Sequence, residues 1–261
     1  MKICGIDVGG TSLKAAVVDA KKGTISGKTV RIETGLDTNV AKLVRSIRQA
    51  LDALSWDGPV GVGFPGVVRH GRVFTAANLN KKFVGCDLQA VLERETGQGV
   101  RVLNDADAAG LAEVRFGVGR GFEGTIMVLT LGTGIGSALF CDGHLYANSE
   151  FGHLPIKGRS AEKLVAASVR TQRNLSWKAW GGRLNNYINI METVLAPELI
   201  ILGGGVSENY DNFRKYIITE ARIEPALLRN GAGIIGAAVG FLALRGVEPS
   251  KKHRAVRPPA K

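Results

Sequence analysis

Cysteine is scarce in this chain of 261 residues, which has three, at Cys4, Cys86 and Cys141. They are widely separated and form no Cys-x-x-Cys pair, so the sequence argues against a disulfide framework and against a zinc site built on cysteines. Cys4 and Cys141 each lie in an apolar stretch, where packing in a core is the simplest role.

Long hydrophobic runs are missing as well. No apolar segment is long enough to span a bilayer. The stretch from Met1 to Asp7 is too short for a signal peptide and reaches a charged residue too early. We therefore expect a cytoplasmic protein. A hydrophobic content of 45% with 22% charged residues indicates a globular chain, long enough for one large domain or two of ordinary size.

Two common nucleotide-binding motifs are absent or out of context. The chain has no Gly-x-x-x-x-Gly-Lys-Ser/Thr, which excludes P-loop NTPases. Gly-x-Gly-x-x-Gly occurs at residues 61–66 and 231–236, but the first copy contains a proline and runs into a predicted hairpin. The second opens a predicted helix with no apolar strand directly before it. Neither has the strand–turn–helix context of a Rossmann dinucleotide site.

Basic residues outnumber acidic ones in this chain. The chain has 34 basic and 23 acidic residues, a formal charge of +11. Residues 251–261 hold five basic residues and no acid, which leaves 29 basic against 23 acidic, or +6, for the rest. This surplus favours an anionic partner, and nucleic acid, acidic lipid and an inorganic polyanion all fit it. The tail after Val247 has no apolar pattern, so we expect it to be disordered.

Apolar periodicity predicts alternating strands and helices, hence an α/β protein. The predicted strands are Lys2 to Val8, Leu13 to Asp19, Thr24 to Arg31, Val60 to Phe64, Val100 to Leu103, Thr125 to Leu131, a strand ending at Cys141, and Leu199 to Leu202. The predicted helices are Asp37 to Ser55, Leu88 to Glu95, one after Asp105, Trp177 to Leu195, and Ile234 to Leu244, with a hairpin over Val67 to Phe74. The layout of residues 2–19 recurs about 120 residues later, which makes a duplicated two-domain architecture plausible.

Asn104 and Asp105 follow a buried strand, at the position where ligands bind in open α/β sheets. Asp105 could take the proton from a hydroxyl that attacks a phosphoryl group. The alternative is that Asp105 caps the helix that follows, and this stretch taken alone favours the cap. The phosphate loops predicted on both sides of it favour the base.

The first candidate phosphate loop joins the first two strands. Gly9 and Gly10 would let backbone N–H groups approach an anion, and Thr11 adds a hydroxyl donor. Asp7 could hold Mg²⁺ directly or through water, and Lys14 could point its charge at the same phosphate. A plain turn and a solvated lysine are the alternatives.

The second candidate loop is Leu131-Gly132-Thr133-Gly134-Ile135-Gly136-Ser137. Its alternate glycines would let successive amides converge on an oxyanion, although a glycine-rich hairpin is equally compatible. Glu150 and His153 offer polar groups to a polyol, but a lone histidine is more often structural. Asn78, Asn80 and Asn104 have the right side chains for the same pocket and are ordinary turn residues by default.

Together, in this order, these motifs resemble the ROK (repressor, open reading frame, kinase) family of sugar kinases, most closely its polyphosphate glucokinases. The resemblance runs from about Ile3 to Leu244. Further matching segments are Gly63-Phe64-Pro65-Gly66, Leu103 to Glu113, Leu175-Ser176-Trp177, Pro197-Glu198-Leu199 with Gly203-Gly204-Gly205, and Leu228-Arg229-Asn230 with Gly233-Ile234.

The resemblance implies an α/β fold of the actin-like/ribonuclease H-like ATPase type, with two lobes around a cleft. The expected lobes are residues 1–107, joined by the helix at about 233–246, and residues 108–232, followed by the basic tail at 247–261. It further implies that Asp105 is the catalytic base and that the family forms homodimers. The implied sugar-binding residues are Gly66, Asn78, Asn80, Asn104, Asp105, Glu150 and His153. The implied donor-binding residues are Asp7, Gly9, Gly10, Thr11, Lys14, Thr133, Gly134, Gly136, Gly203, Gly204 and Gly205.

One departure from the family narrows the resemblance. Typical members carry a cysteine-rich zinc motif after the Glu-x-Gly-His segment, whereas residues 154–180 contain no cysteine. We therefore expect no zinc, a His153 that contacts sugar with no metal behind it, and loss of the sugar-binding glutamate near that motif. Polyphosphate glucokinases share this departure.

The expected reaction is transfer of a phosphoryl group from polyphosphate to the 6-hydroxyl of glucose, with Mg²⁺ bound to the donor. ATP is a second or alternative donor, as in an ATP-dependent hexokinase with broader sugar use, and mannose use stays open. For any single basic residue a solvated charge is the favoured role. The candidate residues for a basic polyphosphate track are Lys81, Lys82, Arg115, Arg120, Lys157, Arg159 and Arg229.

Two hypotheses from other classes compete with a kinase. Regulators of the same family carry an N-terminal helix-turn-helix, for which a first strand at Lys2 leaves no room. A nucleic-acid-binding protein that uses the tail would lose its activity when residues 251–261 are deleted. The kinase interpretation expects little change on that deletion, and expects neither nucleic acid nor a membrane as partner.

Overall fold

The computed structural model describes residues 1–35, 38–76 and 79–243. Its strands are β1 (Lys2–Val8), β2 (Ser12–Asp19), β3 (Thr24–Glu33), β4 (Val60–Phe64), β5 (Val68–Arg69), β6 (Arg72–Val73), β7 (Val100–Asn104), β8 (Thr125–Leu131), β9 (Ile135–Cys141), β10 (His144–Tyr146), β11 (Pro155–Ile156), β12 (Arg159–Ser160), β13 (Leu199–Gly203) and β14 (Arg222–Pro225). Its α-helices are α1 (Val40–Leu54), α2 (Leu88–Thr96), α3 (Asp105–Phe116), α4 (Glu162–Val165), α5 (Ala167–Gln172), α6 (Trp177–Leu195), α7 (Tyr210–Phe213) and α8 (Ala232–Ala243). Short 3₁₀ helices lie at Lys81–Phe83, Phe151–His153, Gly205–Asn209, Arg214–Tyr216 and Arg229–Gly231.

The chain divides into two compact units. Among the described residues, the first contains Met1–Ala112 and 231–243, and the second contains Glu113–Asn230. The chain therefore passes from one unit to the other inside α3, a few residues beyond the lobe boundary expected after Asp107. The tail at 247–261 and both Asp37 and Leu244, the expected outer ends of two helices, lie outside the described residues.

The sheet of the first unit has the strand order β3-β2-β1-β4-β7. β1 is antiparallel to β2 and parallel to β4, which is parallel to β7. Asp7 pairs with Gly63, and Gly63 pairs with Leu103. Because these three strands run in one direction, their carboxyl ends lie at one edge of the sheet, together with Asp7 and Asn104.

Helix α8 packs through glycines against this sheet and against α3. A Cβ atom built on Gly61 would lie 1.8 Å from the carbonyl oxygen of Ala237, and one on Gly236 would lie 1.6 Å from that of Ala108. No larger residue fits at either position. Both Gly-x-Gly-x-x-Gly motifs therefore contain glycines that allow close backbone packing in the core.

The sheet of the second unit repeats the first, with the order β10-β9-β8-β13-β14. β8 and β9 are antiparallel, whereas β8, β13 and β14 are parallel. The helix covering this sheet, α6, buries Trp180 and Tyr187 completely beside Phe213. Within the described ranges, no helix combines the length and apolar character needed to cross a membrane.

Candidate active site

Asp105 and Asn104 lie at the carboxyl end of β7, where α3 begins. The Oδ1 atom of Asn104 accepts hydrogen bonds from the N–H groups of Ala106 (2.8 Å) and Asp107 (3.0 Å). Asn104 is therefore the N-cap of α3. The alternative in which Asp105 caps this helix is wrong. Asp105 Oδ1 accepts from the adjacent N–H of Ala106, at 2.9 Å, which is a contact within the first turn of the helix.

The amide group of Asn104 also fixes the neighbouring turn. Its Nδ2 donates to the carbonyl oxygen of Gly66 at 3.1 Å, and only 5% of the residue is exposed. A Cβ atom on Gly66 would lie 2.1 Å from the carbonyl oxygen of Thr75, so glycine is required there. These contacts hold the backbone of Asp105, a partly exposed residue, at the edge of the sheet.

Asp7 lies at the same edge, at the end of β1. It pairs with Lys14 across the β1–β2 hairpin, and its carboxylate faces the first turn of α8. A Cβ atom on Gly233 would come within 2.7 Å of Asp7 Cγ, so the helix terminus approaches closely because residue 233 is glycine. Burial raises the pKa of Asp7, and the charge of Lys14 partly offsets this.

The first glycine turn is held by its own backbone. The N–H of Gly9 donates to the carbonyl oxygen of Ser12 at 2.9 Å, and the carbonyl oxygen of Thr11 accepts from Thr34 (2.8 Å). Thr11 is exposed, and within the described part of the chain no atom beyond the two adjacent residues lies within 4 Å of a Cβ atom built on Gly10. The tip of this turn is therefore open to a group that approaches its amides.

The second glycine turn, Gly132 to Gly134, is anchored by α5. Ser168 donates from its N–H to the carbonyl oxygen of Gly132 (3.1 Å) and from its Oγ to that of Thr133 (2.7 Å). A Cβ atom on Gly134 would lie 2.6 Å from Glu162 Oε2. The turn thus has a carboxylate beside it, and Gly136 follows within β9 opposite Thr130.

Gly203, Gly204 and Gly205 form a third glycine turn, at the end of β13. Gly203 pairs with Thr130 of parallel β8, so this turn and the second one lie at the same edge of the sheet. Gly204 has φ of +82°, and a Cβ atom there would lie 2.4 Å from the carbonyl oxygen of Leu131. Only glycine satisfies both constraints.

Glu150 and His153 belong to a cluster with a second carboxylate, Glu162. His153 Nε2 lies 3.4 Å from Glu150 Oε2, and its Nδ1 lies 3.8 Å from Glu162 Oε1. Burial raises the pKa of Glu150, and Glu162 adds to this while His153 opposes it. A second carboxylate, that of Glu162, thus lies beside His153, and the expected loss of the family's sugar-binding glutamate stays a prediction.

Ser137 of β9 fixes this cluster to the sheet. Its Oγ donates to the carbonyl oxygen of Ser149 (2.6 Å) and accepts from the N–H of Phe151 (2.9 Å). A Cβ atom on Gly152 would lie 2.2 Å from the carbonyl oxygen of Ile135, so the 3₁₀ turn at Phe151–His153 packs directly on the strand.

The remaining predicted sugar ligands are two asparagines. Asn80 caps the 3₁₀ helix at Lys81–Phe83, since its Oδ1 accepts from the N–H of Lys82 at 3.0 Å. This is the ordinary turn role. Asn78 lies outside the described residues.

The metal chemistry of these groups is limited. Within residues 1–35, 38–76 and 79–243, no group of three or more His, Cys, Asp or Glu side chains could hold a metal ion. Asp7 is a single partly desolvated carboxylate beside an open glycine turn. Mg²⁺ often binds through one or two carboxylates and completes its coordination with water and substrate phosphates. The carboxylate of Asp7 fits this mode of binding.

Comparison with known proteins agrees with these features. Residues 3–172 match the ROK family. The chain is 39% identical over 240 residues to polyphosphate glucokinase of Mycobacterium tuberculosis, which covers 92% of this chain and 91% of that protein.

Solved structures give the same picture of the fold. The crystal structure of inorganic polyphosphate/ATP-glucomannokinase from Arthrobacter sp. strain KM matches with a TM-score of 0.88 and 41% identity, over 92% of this chain and 98% of the other. A ROK family glucokinase from Streptomyces griseus, solved with glucose and AMPPNP, matches with a TM-score of 0.78 and 24% identity, over 94% of this chain and all of the other. The fold is thus the actin-like ATPase α/β fold, and the chain belongs to the ROK family.

Proposed function

We propose that this protein transfers the terminal phosphoryl group of inorganic polyphosphate to the 6-hydroxyl group of glucose, which yields glucose 6-phosphate. The observation that carries this proposal is the 39% identity to a polyphosphate glucokinase over nine-tenths of both chains. The position of Asp105 at a strand end, in a chain with three glycine turns, supports it chemically.

In the proposed step, the oxygen of the glucose 6-hydroxyl attacks the terminal phosphorus in line. The bond between that phosphorus and the bridging oxygen breaks, and the polyphosphate leaves one unit shorter. Asp105 accepts the hydroxyl proton. A positioned general base contributes about 10²–10⁴-fold to such a reaction.

The donor phosphates are bound by backbone amides and a few side chains. We assign this role to Gly9, Gly10 and Thr11 with Lys14, to Thr133, Gly134 and Gly136, and to Gly203, Gly204 and Gly205. Asp7 would hold Mg²⁺, which supplies positive charge to the donor oxygens when it is bound. Amide donors fixed in this way need no reorganisation as charge develops on the phosphoryl oxygens.

Glucose binding is assigned to polar groups that the fold already fixes. Glu150 would accept hydrogen bonds from sugar hydroxyls, and His153 would contact the sugar with carboxylates rather than zinc beside it. Glu162 keeps His153 in position from the Nδ1 side. Asn104 and Gly66 would line the pocket. Asn78 and Asn80 are assigned to the same pocket.

A second candidate is an ATP-using kinase of broader sugar range. The specific observation in its favour is the likeness to a polyphosphate/ATP-glucomannokinase, at 41% identity. ATP and mannose are therefore proposed as a second donor and a second acceptor. Cytoplasmic location and a homodimer, both expected from the sequence, stay predictions for fractionation and sizing experiments.

The test is an assay of glucose 6-phosphate formation with polyphosphate and ATP offered separately. We expect turnover with polyphosphate, and a higher kcat/KM for it than for ATP. Turnover with ATP alone would leave the second candidate, and no product with either donor would reject both.

A further inference from the structure

The surplus positive charge of this chain is concentrated in two segments. Residues 157–183 hold seven basic residues and one acid, and residues 251–261 hold five basic residues and none. Outside these segments 22 basic residues face 22 acidic ones, so the rest of the chain is neutral. We call the seven basic residues the basic strip: Lys157, Arg159, Lys163, Arg170, Arg173, Lys178 and Arg183.

The basic strip covers a continuous part of the second unit. It starts at the tip of the β11–β12 hairpin, continues over α4 and α5, and ends on the first two turns of α6. Hydrogen bonds join these elements: Trp180 Nε1 donates to the carbonyl oxygen of Val165 (2.9 Å) and Arg183 Nη1 to that of Leu164 (3.5 Å).

The basic strip reaches one of the proposed donor turns. Ser168 at the start of α5 bonds the carbonyl groups of Gly132 and Thr133, so the helix that carries Arg170 begins at that turn. The one acid of the segment, Glu162, lies against Gly134 and 3.8 Å from His153. It is directed at the turn and the histidine.

Five arginines elsewhere in the described residues have acidic partners, whereas no member of the basic strip has one. Arg31 pairs with Glu33 at 2.8 Å, and similar pairs are Arg94 with Glu95, Arg222 with Glu224, Arg72 with Asp87, and Arg101 with Glu93. Among the described residues, no carboxylate lies within ion-pair distance of any member of the basic strip. Seven uncompensated charges on one stretch repel one another unless an anion binds there.

One member of the strip is held in a fixed position. The guanidinium of Arg170 lies 3.5 Å from the ring centroid of Trp177, and its buried Nε has no hydrogen-bond partner among the described residues. Stacking on an aromatic ring orders a guanidinium in advance, so less conformational entropy is lost when its remaining donors bind phosphate oxygens.

We propose that the polyphosphate chain, beyond the end that reacts, binds along the basic strip. This inference rests on the proposed function, because it extends the donor site from the turn at Gly132 to Gly134 over α5 to α6. A polyanion of many repeating charges matches a line of uncompensated cations, whereas ATP is too short to follow it. Five of the seven residues are absent from the candidate track expected from the sequence, and the two retained are Lys157 and Arg159.

The test compares two double variants. Lys163→Gln with Arg173→Gln removes two exposed charges of the strip, and Lys28→Gln with Lys215→Gln removes two exposed charges outside it. Binding is measured by fluorescence anisotropy of labelled long-chain polyphosphate, and KM is measured for long-chain polyphosphate, tripolyphosphate, ATP and glucose.

In the strip variant we expect Kd and KM for long-chain polyphosphate to rise about fivefold, the combined effect of two exposed charge contacts. The slope of log Kd against log salt should fall by about two. KM for tripolyphosphate, ATP and glucose should stay near wild type, as should every value in the control variant. Arg173→Lys, which keeps the charge, should bind like wild type.

Equal effects in the two double variants would overturn the inference, as would an equal rise in KM for ATP. Displacement of the label by single-stranded DNA as readily as by polyphosphate would also overturn it. If the wild type makes no glucose 6-phosphate from polyphosphate, the proposed function fails, and the anisotropy measurement still decides whether the strip binds polyphosphate.

Discussion

The two five-stranded sheets have the same strand order and directions but differ in the acids present at their carboxyl edges. In the first unit the edge carries two acids, Asp7 at the end of β1 and Asp105 directly after β7, beside the glycine turn at Gly9 and Gly10. In the second unit β8 and β13 end in glycine turns at Gly132 and Gly203, and β14 ends at Pro225. The same architecture thus combines carboxylates with a glycine turn at the strand ends of one copy, and carries glycine turns without an acid adjacent in sequence at the strand ends of the other.

The helices that cover the two sheets also differ in packing. α8 lies close to its sheet because Gly61 admits its backbone, and close to α3 because Gly236 admits the backbone of Ala108. α6 stands on its sheet through large buried side chains, among them Trp180 and Tyr187. Close packing brings the first turn of α8 against Asp7, whereas α6 leaves its first turns free to carry basic residues. The two helices therefore contribute different groups. α8 places its first turn against Asp7, and α6 carries basic side chains.

The largest predicted effect tests this difference in packing. Gly236→Ala should destabilise the protein by about 3 kcal/mol or more, because the new Cβ atom meets a backbone oxygen that cannot rotate away. Gly182→Ala in α6, where no atom lies within 4 Å of the new Cβ, should stabilise it by about 0.5–1 kcal/mol. Chemical denaturation measures both, and equal signs would contradict the packing difference.

A second prediction concerns how the last parallel strand ends in each unit. β7 continues directly into α3, whereas the loop after β14 is held by Glu113, whose carboxylate accepts from the N–H groups of Leu228 (2.7 Å) and Leu227 (3.2 Å). Glu113 is 1% exposed. Glu113→Gln should lower the free energy of unfolding by about 2 kcal/mol, because the new side-chain N–H groups would face backbone N–H donors without an acceptor. Glu198→Gln, at an exposed position, is the control. Equal melting temperatures for the two variants would contradict the proposed role of Glu113 in holding this loop.

A third prediction concerns the sugar ligands of the second unit. Glu150→Gln should raise KM for glucose about tenfold with a smaller change in kcat, because a charged hydrogen-bond acceptor is lost. In the wild type, KM for glucose should rise on acidification through the raised pKa of Glu150, since the ionised form binds sugar. The variant should lose this pH dependence, and an unchanged profile would contradict the assignment.

The smallest predicted effect concerns the acid at the end of β1. Burial raises the pKa of Asp7, so the stability linked to its protonation is present below the ordinary carboxyl pKa and is lost as pH rises through the raised value. Without Mg²⁺ or donor, Asp7→Asn should therefore be about 1 kcal/mol more stable at neutral pH, or about 2–4 °C in Tm, with the gain vanishing near pH 4.

A carboxylate of opposite behaviour serves as the control for Asp7. The N–H of Lys21 lowers the pKa of Asp19, so its stability contribution is present at neutral pH and lost on acidification. Asp19→Asn should shift Tm down at neutral pH, opposite in sign to Asp7→Asn. A downward shift in both variants would show that burial does not penalise the charge of Asp7.

Much of the fold follows from apolar pattern and turn chemistry. The runs at Lys2–Val8 and Val60–Phe64 are confirmed as strands, and His70-Gly71 forms the expected hairpin turn with φ of +50° and +79°. β14, with the sequence Arg-Ile-Glu-Pro, was not predicted because it has one strongly apolar residue. Its place at the sheet edge depends on pairing with β13, which is a tertiary contact.

The site is less visible in the sequence than the fold. The position of Asp105 after a strand could be predicted, but which of two neighbouring residues caps α3 depends on the turn at Gly66, far away in the chain. Glu162 was missed because an acid in the first turn of a short helix is an ordinary feature. The basic strip is hard to predict for a simpler reason: each of its charges alone resembles an ordinary solvated charge, and only a count over residues 157–183 reveals the excess.

The most direct test of the account is the turnover of Asp105→Asn with saturating glucose and polyphosphate, beside wild type. Asparagine keeps the size of the side chain and cannot accept the hydroxyl proton. We expect kcat to fall by about 10²–10⁴-fold while the melting curve and glucose binding stay near wild type. A folded variant with turnover close to wild type would contradict the assignment of Asp105 as the base.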